Sequence, residues 1–376
     1  MAKVRLQQIR HSYNADAGEK TEYALQRINQ VWEDGGAYAL LGPSGCGKTT
    51  LLNIVSGLLH PTEGKVFFDN LDMTLTTPDQ RNIAQIFQFP VVYDTMTVRD
   101  NLAFPLRNRK MEPFEIEERV KTVAEMLDLT ALLDKRASGL TADGKQKISL
   151  GRGLVRSDVN IMMFDEPLTV IDPHLKWQLR SELKQLHRRV GFTMVYVTHD
   201  QTEALTFADK VAVMFEGEVV QFGTPEELFL RPNHTFVGHF IGSPGMNLLP
   251  CELDGGFPVF AGNRIKLAAP ITQINTNKKI ELGVRPEFIK IDENGFSIKV
   301  NRIDDVGRYR IVKAECLGQN FNVYVPEGLE IPTENLRVRF DPQNTHVYFD
   351  GGLQNEKQPD RKSVVEGKRV DLGGRR

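Results

Sequence analysis

Up to about residue 240, short apolar runs alternate with stretches whose apolar positions recur every three or four residues. Strands alternating with amphipathic helices in this way predict an α/β fold with a largely parallel sheet. Three of the strand-like runs end on chemically useful residues. Tyr38–Leu41 enters a glycine-rich loop, Ile161–Phe164 runs into Asp165-Glu166, and Thr193–Val197 runs into Thr198-His199. Ligands of open α/β sheets gather at the carboxyl ends of strands, so the three ends are expected to converge on one site. Ile116, Val120, Val123 and Leu127 predict one helix, and Leu175, Leu179, Leu183 and Leu186 a second. Asp172 is placed to cap the second helix, with Pro173 at its first position.

Beyond Gly242-Ser243-Pro244 the pattern changes to short β-type runs punctuated by Gly, Pro, Asn and Asp, among them Lys279–Val284, Ser297–Val300, Asn322–Val325 and Val347–Phe349. The expected organisation is an α/β domain over residues 1–243 and a separate all-β domain over 244–350. Residues 351–376 are expected to be disordered. Within them Asp360–Arg376, DRKSVVEGKRVDLGGRR, has no apolar periodicity and reads as translated sequencing adapter.

Composition narrows the class. With 376 residues, 26% of them charged and 40% hydrophobic, the chain can build two or three cores of ordinary soluble type. A net charge of -2 gives no global attraction to nucleic acid, and none is expected as a partner. Cys46, Cys251 and Cys316 lie far apart with no CxxC, which argues against a zinc site or a disulfide framework and fits a reducing cytosol. The start, MAKVRLQQIRHSY, lacks the apolar core of a signal peptide, and no stretch approaches the ~20 apolar residues that span a bilayer. Membrane work is therefore expected of another subunit.

GPSGCGKTT at Gly42–Thr50 matches the phosphate-binding loop GxxxxGK[ST]. Gly42, Pro43, Ser44, Gly45, Cys46 and Gly47 would wrap backbone N–H groups around phosphates at a helix amino terminus. Lys48 would reach the β and γ phosphates of ATP, Thr49 would place its hydroxyl on Mg²⁺, and Thr50 completes the loop. An acidic pair at a strand end is common at surfaces, but with this loop Asp165 is a magnesium ligand acting largely through water. Glu166 is then the group that polarises the attacking water. His199 is placed to contact the γ phosphate and orient that water, and Gln88, after Ile83–Phe87, to sense both water and Mg²⁺.

The order of phosphate loop, Gln88, a segment from Leu140, Asp165-Glu166, a Thr169–Asp172 loop and His199 resembles that of the ABC ATPases. The likeness spans nearly all of residues 1–350. It implies a P-loop ATPase domain with a helical subdomain over about 89–155, followed by an OB-like, TOBE-type domain similar to that of sugar and glycerol importer ATPases. It also implies transmembrane permease subunits, a second ATPase subunit, a periplasmic or lipid-anchored solute-binding protein, and a peripheral place on the cytoplasmic membrane face. Tyr13 occupies the position of the family's adenine-stacking aromatic, with Tyr23 as the alternative. Asp172 matches the D-loop aspartate.

Where the family has LSGGQ this chain reads Leu140-Thr141-Ala142-Asp143-Gly144. In the family this segment closes over the nucleotide of the opposite domain. Thr141 can replace the serine hydroxyl. Ala142 and Asp143 are expected to restrict the backbone, and the carboxylate adds repulsion toward a triphosphate. The defect would fall on the partner's site, so a heterodimer is expected. Phe89, Val91, Val92, Tyr93 and Met96 either pack the helical subdomain or form its docking surface. TADGKQKISLGRGL and VIDPHLKWQLR resemble glycerol importer ATPases, which points to glycerol or a related polyol. A polyamine, sulfate or metal importer ATPase and a non-hydrolysing regulatory subunit are the other readings.

Overall fold

The computed structural model describes residues 2–14, 22–156, 158–169, 171, 173–272, 278–332 and 335–354. Asp172 and the segment 355–376, including the adapter-like stretch, lie outside the described residues. The chain divides into two compact units, Met1–Leu228 and the remainder from Phe229. The expected boundary at Gly242-Ser243-Pro244 thus falls inside the second unit, with residues 229–243 packing there.

The first unit contains β1 (Val4–His11), β2 (Leu25–Trp32), β3 (Ala37–Leu41), α1 (Lys48–Ser56), β4 (Glu63–Phe68), β5 (Leu71–Asp72), α2 (Pro78–Arg81) and β6 (Ile83–Ile86). A helical segment follows, α3 (Val98–Asn108), α4 (Pro113–Met126) and α5 (Ala142–Leu154). The chain then returns through β7 (Ile161–Asp165), α6 (Pro173–Val190), β8 (Met194–Thr198), α7 (Gln201–Phe207), β9 (Lys210–Phe215) and β10 (Glu218–Gly223). One sheet has the order β10-β9-β3-β8-β7-β6, parallel except for the edge strand β10. Strands β3 and β8 are buried along their whole length, as expected of central parallel strands covered on both faces. That burial is why they read as unbroken apolar runs. A second, antiparallel sheet, β2-β1-β4-β5, adds Trp32, Leu6 and Phe68 to the same core.

The predicted helices form. Val120, Val123 and Leu127 are buried on or just past α4, and Leu179, Leu183 and Leu186 on α6. Arg81, at the end of α2, has no exposed surface. It donates to the carbonyls of Ile54 (2.7 Å) and Val55 (2.8 Å) at the carboxyl end of α1 and to those of Thr76 and Thr74 (both 3.1 Å). Burial lowers its pKa to about 10, so it remains a cation at neutral pH, placed at the negative end of the helix that carries the phosphate loop.

The second unit takes in the carboxyl end of α8 (Pro225–Leu230), then α9 (Thr235–Phe240), β11 (Asn247–Pro250), β12 (Glu252–Asp254), β13 (Phe257–Phe260), β14 (Asn263–Arg264) and β15 (Ile280–Val284). It ends with β16 (Ile289–Ser297), β17 (Lys299–Asp305), β18 (Tyr309–Cys316), β19 (Gln319–Pro326), β20 (Arg337–Phe340), β21 (Thr345–Phe349) and β22 (Gly352–Leu353). Its core gathers Phe260, Phe321 and Phe340, with Phe296 packed against them. The run expected as one strand over Ser297–Val300 is split. Ile298 turns into the core and bonds to the Leu336 carbonyl, separating β16 from β17.

Candidate functional site

Strands β3, β8 and β7 are adjacent in the parallel sheet, and each ends on the residues singled out by the sequence. The loop after β3 turns sharply into α1, and two of its glycines have no substitute. A β-carbon at Gly42 would lie 2.3 Å from the Met214 carbonyl oxygen and 2.7 Å from the Cys46 sulfur. Gly47, at φ 98°, would place one 2.7 Å from the Ala24 carbonyl oxygen. Lys48 is buried and donates to the carbonyls of Gly42 and Pro43, both at 2.9 Å, which holds its ammonium within the loop. Cys46 is buried, and burial pushes its thiol up, so it serves packing rather than nucleophilic chemistry.

Thr49 faces the end of β7, its hydroxyl 3.5 Å from Asp165 Oδ1. Burial and then the neighbouring Glu166 carboxylate raise the Asp165 pKa against the opposing influence of Thr49 and Lys48. Such a carboxylate is poorly compensated by the protein and suited to a cation. The hydroxyl and carboxylate are hard oxygen donors, and among the described residues no three acidic, His or Cys side chains converge. The set fits Mg²⁺, which usually keeps several waters and takes further ligands from substrate phosphates.

Glu166 has φ 47°, in the left-handed region. Its backbone is held by N–H donation to Val197 and by Thr169 N–H donation to its carbonyl. This turns the carboxylate toward His199, whose Nδ1 lies 3.1 Å from Glu166 Oε2. An ionised carboxylate only accepts, so Nδ1 carries the proton and Nε2 is left for another partner. Gln88 follows β6 on the same end of the sheet, and among the described residues no hydrogen bond joins it to Thr49, Asp165 or Glu166. The Tyr13 hydroxyl lies 3.0 Å from Thr50 Oγ1 with its ring exposed, whereas the Arg10 guanidinium already covers the Tyr23 ring at 3.3 Å. Tyr13 is the aromatic the geometry leaves available.

Thr141 caps α5, its hydroxyl accepting from the Gly144 N–H at 3.3 Å. Ala142, Asp143 and Gly144 begin that helix without a left-handed residue, so the expected backbone restriction at Ala142 and Asp143 does not arise. What remains is charge: Asp143 Oδ1 is buried, with no hydrogen-bond partner among the described residues. Two further residues near the site carry no motif of their own. Gln146 of α5, fully buried, donates to the Pro167 carbonyl at 2.7 Å, tying α5 to the turn after Glu166. Glu203 of α7 sits beneath the His199 turn.

A family model described as "ABC transporter" matches residues 25–169, and one described as "MalK OB fold domain" matches 242–289. An sn-glycerol-3-phosphate import ATP-binding protein of Jannaschia sp. is 37% identical over 93% of this chain and 98% of its own. A trehalose/maltose import ATP-binding protein of Thermococcus litoralis is 36% identical over the same shares. The chain belongs to the ABC importer ATPases. It is an ATP-binding and hydrolysing subunit of a carbohydrate or polyol importer, working with transmembrane permeases, and its accessory unit is of the MalK OB type. Among solved structures, cbiO1 from Clostridium perfringens, part of the ABC transporter complex cbiONQ, is 26% identical with a TM-score of 0.55, covering 61% of this chain and 90% of that one. A dimeric ATP-binding cassette bound to ADP and Pi is 28% identical with a TM-score of 0.52, covering 59% and 98%. Among the described residues no helix is long and apolar enough to cross a membrane.

Proposed function

We propose that this importer ATPase hydrolyses MgATP at the ends of β3, β7 and β8. The carrying observation is the 3.1 Å Glu166–His199 contact beside the Thr49–Asp165 pair. The Gly42–Thr50 loop and Lys48 bind the phosphates, Tyr13 stacks on the adenine, and Thr49 and Asp165, with Gln88 nearby, hold Mg²⁺. The metal, when bound, neutralises phosphate charge. Glu166 accepts hydrogen bonding from the attacking water, and His199, fixed in its Nδ1–H tautomer, presents Nε2 toward the γ phosphate. Replacing Lys48 with alanine is expected to abolish MgATP binding in calorimetry. Glu166→Gln should retain binding and lose turnover. Unchanged affinity in the first variant or wild-type turnover in the second would overturn the assignment.

The ATPase pair is proposed to be a heterodimer on the cytoplasmic membrane face. Thr141, Ala142, Asp143 and Gly144 act on the partner's nucleotide, where the Asp143 carboxylate meets like charge. This chain's own site takes the signature, and Asp172 its counterpart loop, from a second ATPase. A homodimer would carry the repulsion at both sites. ATPase activity that needs a second, different ATPase gene beside the permeases supports this, and full coupled activity without it refutes it.

For the membrane subunits the proposed docking surface lies over the helical segment. Phe89, Val91 and Tyr93 are exposed, with Val92 and Met96 half-buried beside them. Of these, Val91 also lines a cleft of about 340 Å³, together with Phe87, Phe104 and Arg152. The solute, chosen by the permeases and a binding protein, is proposed to be glycerol or a related polyol, in line with the names of the relatives and the altered signature.

A further inference from the structure

Glu203 has 4% of its surface exposed, and its carboxylate is the hub of the turn that presents His199. Its Oε2 accepts from the Thr198 hydroxyl at 2.7 Å and from the Tyr196 hydroxyl at 3.2 Å, both from β8, while Lys176 Nζ of α6 lies 3.8 Å from Oε1. Thr198 Oγ1 also accepts the Asp200 N–H at 3.0 Å. Asp200 in turn accepts the N–H groups of Thr202 and Glu203 at the start of α7. The residues on either side of His199 are therefore locked to one buried carboxylate. The His199 ring is itself exposed, and its hydrogen bond is the one to Glu166. Its aim rests on the backbone that carries it.

We propose that Glu203 is a positioning residue for ATP hydrolysis, holding the Thr198–Asp200 turn so that His199 stays within hydrogen-bonding distance of Glu166. The inference rests on the roles given above to His199 and Glu166. A carboxylate accepting two hydroxyls in a buried place is a strong and directional tether. A misplacement of about 1 Å in a catalytic group can cost on the order of 100-fold in rate. The tether touches no part of the phosphate loop, so nucleotide affinity is separable from it.

The test uses the full chain assembled with its permeases and partner ATPase in proteoliposomes. Glu203→Ala is expected to lower kcat for ATP about 10- to 100-fold with KM changed less than about twofold, and Thr198→Val to lower kcat in the same sense by less. Glu203→Gln, which keeps an acceptor oxygen, should recover part of the loss. In a His199→Ala background Glu203→Ala should add nothing, because both act through one group. An equal further loss in that background would overturn the proposal, as would wild-type kcat in Thr198→Val and Glu203→Gln when Glu203→Ala fails to fold. If His199→Ala itself retains wild-type turnover, the failure lies in the underlying assignment of His199.

Discussion

Replacing Arg81 with methionine takes away the buried charge that ties the end of α1 to the segment before α2 and keeps an unbranched chain of comparable reach. Four carbonyls lose a donor. Two are partly covered, since Ile54 also receives the Gly57 N–H at 3.3 Å and the Thr74 oxygen lies 3.2 Å from His60 Nδ1. Among the described residues no other donor reaches those of Val55 and Thr76, which then cost about 1–3 kcal/mol each. Removing a guanidinium whose burial already lowers its pKa to about 10 returns part of this. The net expectation is a loss of roughly 2–4 kcal/mol, or on the order of 5–15 °C in the midpoint of a unit this size. Both tryptophans, Trp32 and Trp177, lie in the first unit, so their fluorescence follows its unfolding separately from the β unit. Arg81→Lys should recover only part of the loss, because one ammonium cannot span four divergent carbonyls. A midpoint lowered by less than about 2 °C in Arg81→Met, or complete recovery with lysine, would refute the reasoning.

Gly42→Ala is expected to lower stability by about 1–3 kcal/mol and to weaken ATP binding together, because the added methyl collides with the Met214 backbone; calorimetry beside thermal unfolding checks both. The raised pKa of Asp165 means that its favourable contribution is complete below the unfolded carboxylate value and is lost as pH rises through the folded one. The nucleotide-free Asp165→Asn variant should therefore melt above the wild type at neutral pH, with the gap closing as pH falls through that raised value. Asp143→Gly should increase turnover at the partner's site without altering ATP affinity at this chain's own site; an unchanged rate in the assembled importer would count against the charge argument.

The parallel sheet and the convergence of the phosphate loop, Asp165-Glu166 and His199 were legible because β3, β7 and β8 are buried on both faces and break off abruptly in polar residues. The antiparallel sheet was not. Strand β1 carries register shifts against both neighbours, which scramble the period-two pattern that would have announced it. Ile298 hid the β16–β17 break, since an apolar residue in an alternating run looks the same whether it continues a strand or turns inward. Glu203 and Gln146 were silent for another reason. A glutamate or glutamine in a helix is ordinarily solvated, and only tertiary burial turns it into a tether. At Ala142 and Asp143 the expected backbone cost assumed a conformation reserved for glycine, whereas the residues simply open a helix capped by Thr141.

The left-handed backbone of Glu166 places stability and activity in opposition at one position. A glutamate there gives up about 1–2 kcal/mol relative to a residue at ease in that conformation, and its carboxylate also burdens Asp165. Asparagine would relieve both and remove the carboxylate proposed to polarise the attacking water. A search of this protein for thermotolerant variants would accordingly enrich changes at residue 166 that raise the melting temperature of an importer subunit unable to spend ATP, and selection on solute uptake is what keeps the less comfortable residue in place.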